Sequence, residues 1–182
     1  MTESLAAGQQ ITVPPAGRYR IDPERSTVTF TTRHLFGLAA VRGTLALREG
    51  SVTVAGPVTG SAVRAQVAAS TFQSRNPARD VSVLSRRLLD AETYPVLTFT
   101  STALVREEGQ WLLRGELEVR GVTRLAEARI TAVSPDADGA AFRASASVTA
   151  DRCDFGITAY RGLAARRLTV DLDIPAEREE RP

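Results

Sequence analysis

The chain is 182 residues long, with 43% hydrophobic and 5% aromatic residues and a formal net charge of +2. That length suits one domain large enough to be stable without a disulfide or a metal, and the single cysteine, Cys153, lacks an internal partner and reads as a small buried hydrophobe. All 23 basic residues are arginines, which excludes a lysine Schiff base or lysine general base; only Arg86-Arg87 and Arg166-Arg167 are adjacent, and the aromatics lie elsewhere, so the basic stripe of a nucleic-acid binder is missing.

Residues 1–16 read as a flexible tail. No basic residue precedes Arg18 and no long apolar run occurs there, so neither a secretory signal nor a lipoprotein anchor is expected. No stretch approaches the roughly 18 apolar residues of a membrane-spanning helix. The expectation is a soluble cytoplasmic protein with no stable membrane insertion.

From residue 17 to residue 175 the dominant signal is period-two alternation. Val28 and Phe30 alternate with Thr27, Thr29 and Thr31. Val41, Gly43, Leu45 and Leu47 alternate with polar or small neighbours, as do Val63, Ala65 and Val67. Asn76-Pro77 then breaks the pattern as a helix cap followed by proline at the first helical position. Val81, Leu84 and Leu88 recur at helical spacing, which predicts one amphipathic helix over 77–89. Alternation resumes with Leu97, Phe99, Ser101, Ala103 and Val105, and then with Trp111, Leu113, Gly115, Leu117 and Val119. Ala126, Ala128, Ile130 and Ala132 follow, then Phe142, Ala144, Ala146 and Val148, and finally Leu168, Val170, Leu172 and Ile174. Turns are expected at Glu49-Gly50, at Glu108-Gly109 and over 135–139. Residues 176–182 read as a second flexible tail.

This pattern predicts an all-β domain of at least eight strands, each with one dry and one wet face, closed into an antiparallel barrel with one helix. The expected inward face holds many small residues: Gly43, Ala65, Ala103, Gly115, Ala126, Ala128, Ala144 and Ala146. Close packing demands that large neighbours fill the space beside them or that a hollow remains. Periodicity alone is compatible with either.

Catalytic chemistry has little to work with. His34 is the only histidine and reads as a polar residue at a strand end. There is no G-x-S-x-G elbow, no phosphate loop, and nothing that brings Cys153 toward His34. One histidine and one cysteine make a zinc site improbable, so no metal is expected. Asp151 and Asp154 resemble a carboxylate pair, but Arg152 between them suggests a structural ion pair.

Five ordered segments carry a resemblance. They are YRIDPERSTVTF (19–30), RHLFGLAAVRGTL (33–45) ending in a V-R-G turn, and RDVSVLSRRLLDAETYPVLTFTS (79–101). GELEVRGVTRLAEARI (115–130), with an R-G-V-T bulge, and RCDFGI (152–157) complete the set. Together, over about 17–174, they resemble the YceI family of lipid- and polyisoprenoid-binding proteins. The chain departs from that family at Glu24-Arg25, where a histidine commonly precedes the serine, and at Ser82-Val83, where the helix turn commonly contains one. Both departures argue further against a metal.

The resemblance implies an eight-stranded antiparallel lipocalin-like β-barrel with one flanking amphipathic helix. Its elongated cavity would hold a polyisoprenoid, an isoprenoid quinone or a fatty-acyl chain, with no cofactor beyond such a co-purifying ligand. The residues expected to bind it are Phe30, Phe36, Leu84, Leu88, Phe99, Trp111, Leu113, Phe142 and Phe155. Arg79, Asp80, Arg120, Gly121, Asp154 and Gly156 read as structural. Relatives often pair as homodimers, and the sequence leaves the oligomeric state open. Carriage or sequestration of a long apolar molecule is the first reading. A metal-free barrel enzyme for isomerisation or cyclisation, using His34, Asp154 or Tyr160 as acid or base, is the second. A structural protein with a filled core is the third.

Overall fold

The computed structural model describes residues 11–34, 39–160 and 164–179. Among these, nine strands form one antiparallel sheet. They are β1 (Gly17–Ile21), β2 (Thr27–His34), β3 (Ala39–Val54), β4 (Ala62–Gln73), β5 (Val96–Glu107), β6 (Gln110–Val119), β7 (Val122–Pro135), β8 (Ala141–Asp151) and β9 (Arg167–Arg178). The order is β1-β3-β2-β9-β8-β7-β6-β5-β4, and pairing of β3 with β4 closes the ring. β1 and β2 both lie between β3 and β9. They are two halves of one lane, interrupted at residues 22–26, where the Asp22 carboxylate accepts from the Glu24 and Arg25 N–H groups. The molecule is thus the eight-stranded antiparallel barrel that the resemblance implies, each described strand pairing with a neighbour on both sides.

Bulges decide which residues face inward. A register shift between Ser101 and Ala103 in β5, and another between Ile130 and Ala132 in β7, each add a residue to one strand. Beyond each bulge the alternation changes phase. Leu104 is buried among the core residues in place of the expected Ala103 and Val105, and Val133 packs inward in place of Ala132. The expected turn at Glu49-Gly50 is not one: β3 runs straight through it with a register shift beside Glu49. Val41-Arg42-Gly43 likewise lies within β3, not in a turn. Glu108-Gly109 and Arg120-Gly121 are both tight hairpin turns with positive φ at each position. That is the conformation of a two-residue hairpin loop matched to strand twist; Arg120-Gly121 is therefore a turn, where a bulge was expected.

The helix is shorter than its apolar spacing suggests. α1 (Pro77–Leu84) starts at Asn76, whose side chain accepts from the Arg79 N–H at 3.0 Å. Ser74 donates to the Asp80 carboxylate through both its N–H (2.9 Å) and its hydroxyl (2.6 Å), tying the helix to the end of β4. It stops because Ser85 adopts an extended conformation (ψ 164°) and its hydroxyl donates to the Ser82 carbonyl at 2.7 Å. Serine competes for backbone groups in this way wherever a helix is weak. Leu88 and Leu89 follow in a turn and pack with Phe155, Ile157 and Val119 at one end of the barrel.

Neither terminus behaves as a tail over its described part. β9 extends to Arg178, and Ala176 is fully buried. Ile11 bridges Val133 in parallel, and the Tyr19 hydroxyl donates to the Pro15 carbonyl at 2.8 Å. No helix among the described residues is long and apolar enough to cross a membrane.

Candidate functional site

The barrel encloses a cavity of about 770 Å³, well inside the range of roughly 300–1,000 Å³ typical of small-molecule sites. Its wall is built by the inward residues of all eight lanes. Of the nine residues expected there, Phe30, Leu88, Phe99, Trp111, Leu113, Phe142 and Phe155 line it. Leu84 does not: the helix ends at it, and Val83 and Leu89 face the cavity instead. Phe36 lies outside the described residues.

The small inward residues divide into two groups. Gly43 and Gly115 do not leave space, because the rings of Phe30 and Phe99 lie against their Cα atoms. A Cβ on Gly115 would sit 2.5 Å from the Thr100 carbonyl oxygen and 2.6 Å from the Phe99 ring. Ala65, Ala126, Ala128, Ala144 and Ala146 line open space. The alanines set the width, and the glycines let aromatic rings lie flat on the wall.

Sequence reasoning missed the polar part of the lining. At the end carrying α1, the cavity is bordered by Arg79, Ser82, Arg152 and Tyr160. Arg152 was expected to pair with Asp151 or Asp154; it pairs with neither. It is 7% exposed, and its guanidinium donates to four backbone carbonyls. Nε reaches Ala165 (3.0 Å), Nη1 reaches Ile157 (2.8 Å) and Ala159 (2.6 Å), and Nη2 reaches Ala164 (3.2 Å). The arginine thereby ties Ile157, Ala159, Ala164 and Ala165 together at the barrel end. Asp151 instead accepts from the Cys153 N–H at 2.9 Å and pairs with Arg166 at 2.8 Å. The Cys153 N–H first, and Arg166 after it, hold the Asp151 carboxyl below its ordinary value. Cys153 is half-buried, not fully buried.

Tyr160 lies 3.2 Å from the Ser82 hydroxyl. That hydrogen bond, with Arg87 beside it, holds the phenol below its ordinary pKa. Asp154 is exposed on the surface. His34 is the last residue of β2. Among the described lining residues there is no carboxylate, histidine or thiol, and no three His, Cys, Asp or Glu side chains gather into a metal-ligand cluster among the described residues.

Tyr160 is 41% exposed and Val13, at the opposite end, is 46% exposed, so lining residues meet solvent at both ends. Polarity distinguishes the ends. At the far end, around Val13, Val58 and Trp111, the polar lining is the Ser61 hydroxyl, which is engaged by the Ala55 N–H at 3.0 Å.

A family model described as the YceI-like domain matches residues 19–177. Among solved structures the chain is similar to BcnA of Burkholderia cenocepacia, with 18% identity, a TM-score of 0.73, and coverage of 85% of this chain and 98% of that one. It is also similar to a polyisoprenoid binding domain from Saccharophagus degradans, with 15% identity, a TM-score of 0.67, and coverage of 88% and 98%. A YCEI protein of Campylobacter jejuni matches with 19% identity, a TM-score of 0.58, and coverage of 79% and 88%. Among curated proteins no sequence matches significantly.

Proposed function

Because the chain belongs to the YceI-like family, we propose that its barrel carries or sequesters one long-chain hydrophobic molecule of the polyisoprenoid, isoprenoid quinone or fatty-acyl type. The observation that carries this reading is the cavity of about 770 Å³, walled on every lane by aliphatic and aromatic side chains. An apolar chain gains about 0.8 kcal/mol for each methylene removed from water, so a lining of this kind suffices for affinity without any catalytic constellation. The similarity to a polyisoprenoid binding domain of Saccharophagus degradans supports a chain-type ligand. A catalytic reading would rest on Tyr160, which stands at the rim beside Ser82 and Arg87 with no acid–base partner among the described lining residues.

The test is to extract the purified protein with organic solvent and identify what co-purified by mass spectrometry. A chain-type lipid near one equivalent is expected. An empty extract, together with no response of Trp111 fluorescence to added polyprenol or palmitate, would remove the proposal.

A further inference from the structure

The charged groups of the cavity wall among the described residues are both cationic and lie at one end. Arg152 and Arg79 line that end, and a chain of contacts joins them. The Arg152 guanidinium bonds the Ala159 carbonyl, Tyr160 follows in sequence, and its hydroxyl meets Ser82. Ser82 lies one helical turn beyond Arg79 on the same face of α1.

Neither arginine has a carboxylate partner among the described residues. Asp80, next to Arg79, is taken by Ser74, and Asp151, next to Arg152, is taken by Arg166. Arg79 reaches only the Ser74 hydroxyl, at 3.5 Å, which is the outer limit of a hydrogen bond. Arg152 spends four of the five N–H groups of a guanidinium on neutral carbonyls. The fifth, on Nη2, has no partner among the described residues. Carbonyl dipoles satisfy hydrogen bonds but leave the charge uncompensated, and a desolvated cation lining an apolar cavity is costly until an anion meets it.

We propose that this cavity binds an anionic amphiphile in one orientation, its carboxylate or phosphate head held by Arg152 and Arg79 and its chain running toward Val58. The inference rests on the carrier reading and adds the class of head group to it. Charge-assisted hydrogen bonds from a guanidinium are about twice as strong as neutral ones, so an anionic head gains more here than an amide, quinone or alcohol oxygen. The far end offers a head group no cationic side chain among the described lining residues, only the neutral Ser61 hydroxyl.

Three probes with the same sixteen-carbon chain separate the possibilities: palmitate, hexadecyl phosphate and palmitamide, titrated at mildly alkaline pH against Trp111 fluorescence. At least one anion is expected to bind tenfold or more tighter than the amide. Preference for the carboxylate points to fatty acids, and preference for the phosphate points to phosphorylated chains. Arg79→Gln and Arg152→Gln should each cut the anion-to-amide ratio at least threefold. Arg18→Gln, at the far end, should leave the ratio unchanged. Arg152 also braces a loop, so its variant is first checked for folding by circular dichroism; Arg79→Gln decides the matter by itself if Arg152→Gln does not fold. Equal binding of all three probes, or a ratio untouched by Arg79→Gln, overturns the inference and leaves the carrier reading standing. Failure of all three to bind overturns both.

Discussion

Ala144 and Gly115 are both small inward positions, yet a substitution at each should act in opposite directions. Ala144 pairs with Val133 and Ile174 and lines open cavity. A phenylalanine there enters empty space. Full burial of such a side chain contributes about 1.5–3 kcal/mol, and a ring lying against one wall should recover about a third to a half of it, so Ala144→Phe should be neutral or more stable by about 1 kcal/mol. Gly115→Ala adds one carbon where the Thr100 carbonyl oxygen is 2.5 Å away and the Phe99 ring 2.6 Å away. Backbone must shift, and overpacking of that kind costs about 1–3 kcal/mol. The same ring at 144 displaces roughly four methylenes of a bound chain, about 3 kcal/mol or some two orders of magnitude in affinity, while a short chain should be spared. Urea unfolding followed by circular dichroism gives the two stabilities, and Trp111 fluorescence gives the affinities for C16 and C8 chains. The argument is refuted if Ala144→Phe loses as much stability as Gly115→Ala, which would mean the interior is packed. It is equally refuted if Ala144→Phe binds the C16 chain as tightly as the parent.

Asn76→Ala removes the acceptor for the Arg79 N–H and should lower stability by about 1 kcal/mol, with Asn76→Asp losing little; urea midpoints of the two variants check this. Asp151 has its folded pKa depressed by the Cys153 N–H and then by Arg166. Its contribution is therefore present above the unfolded carboxyl value and lost as pH falls through the folded one. Asp151→Ala should be less stable than the parent at neutral pH, and the gap should close as pH falls through and below the ordinary carboxyl value; a gap independent of pH would show that the side chain acts through packing alone.

The barrel was legible in the sequence because period-two alternation is a local property, and a residue's face follows from its parity along the strand. Of the seven expected side chains that line the cavity, the five on strands (Phe30, Phe99, Trp111, Leu113 and Phe142) do so for that reason. Parity fails at a bulge, and here the sequence carried no warning: Ala103-Leu104 and Ala132-Val133 are apolar on both sides of the shift, so either phase satisfies the pattern. Only pairing with the neighbouring strands chose Leu104 and Val133. Gly50 looked like a turn because glycine commonly marks one, whereas the barrel uses it to admit the Ile21 side chain, whose Cδ1 lies 2.6 Å from where a Cβ would be. The helix end depended on Ser85 bonding back to Ser82, a contest between cap and apolar spacing that spacing alone does not settle. Arg152 is the clearest case. Its acidic sequence neighbours suggested an ion pair, but its side chain reaches carbonyls five to thirteen residues ahead, a proximity that only the tertiary structure creates. Whether the interior was hollow or filled lay equally beyond the sequence. Side-chain size is written in the chain, but the volume those side chains must fill is fixed only when eight lanes close at a particular register.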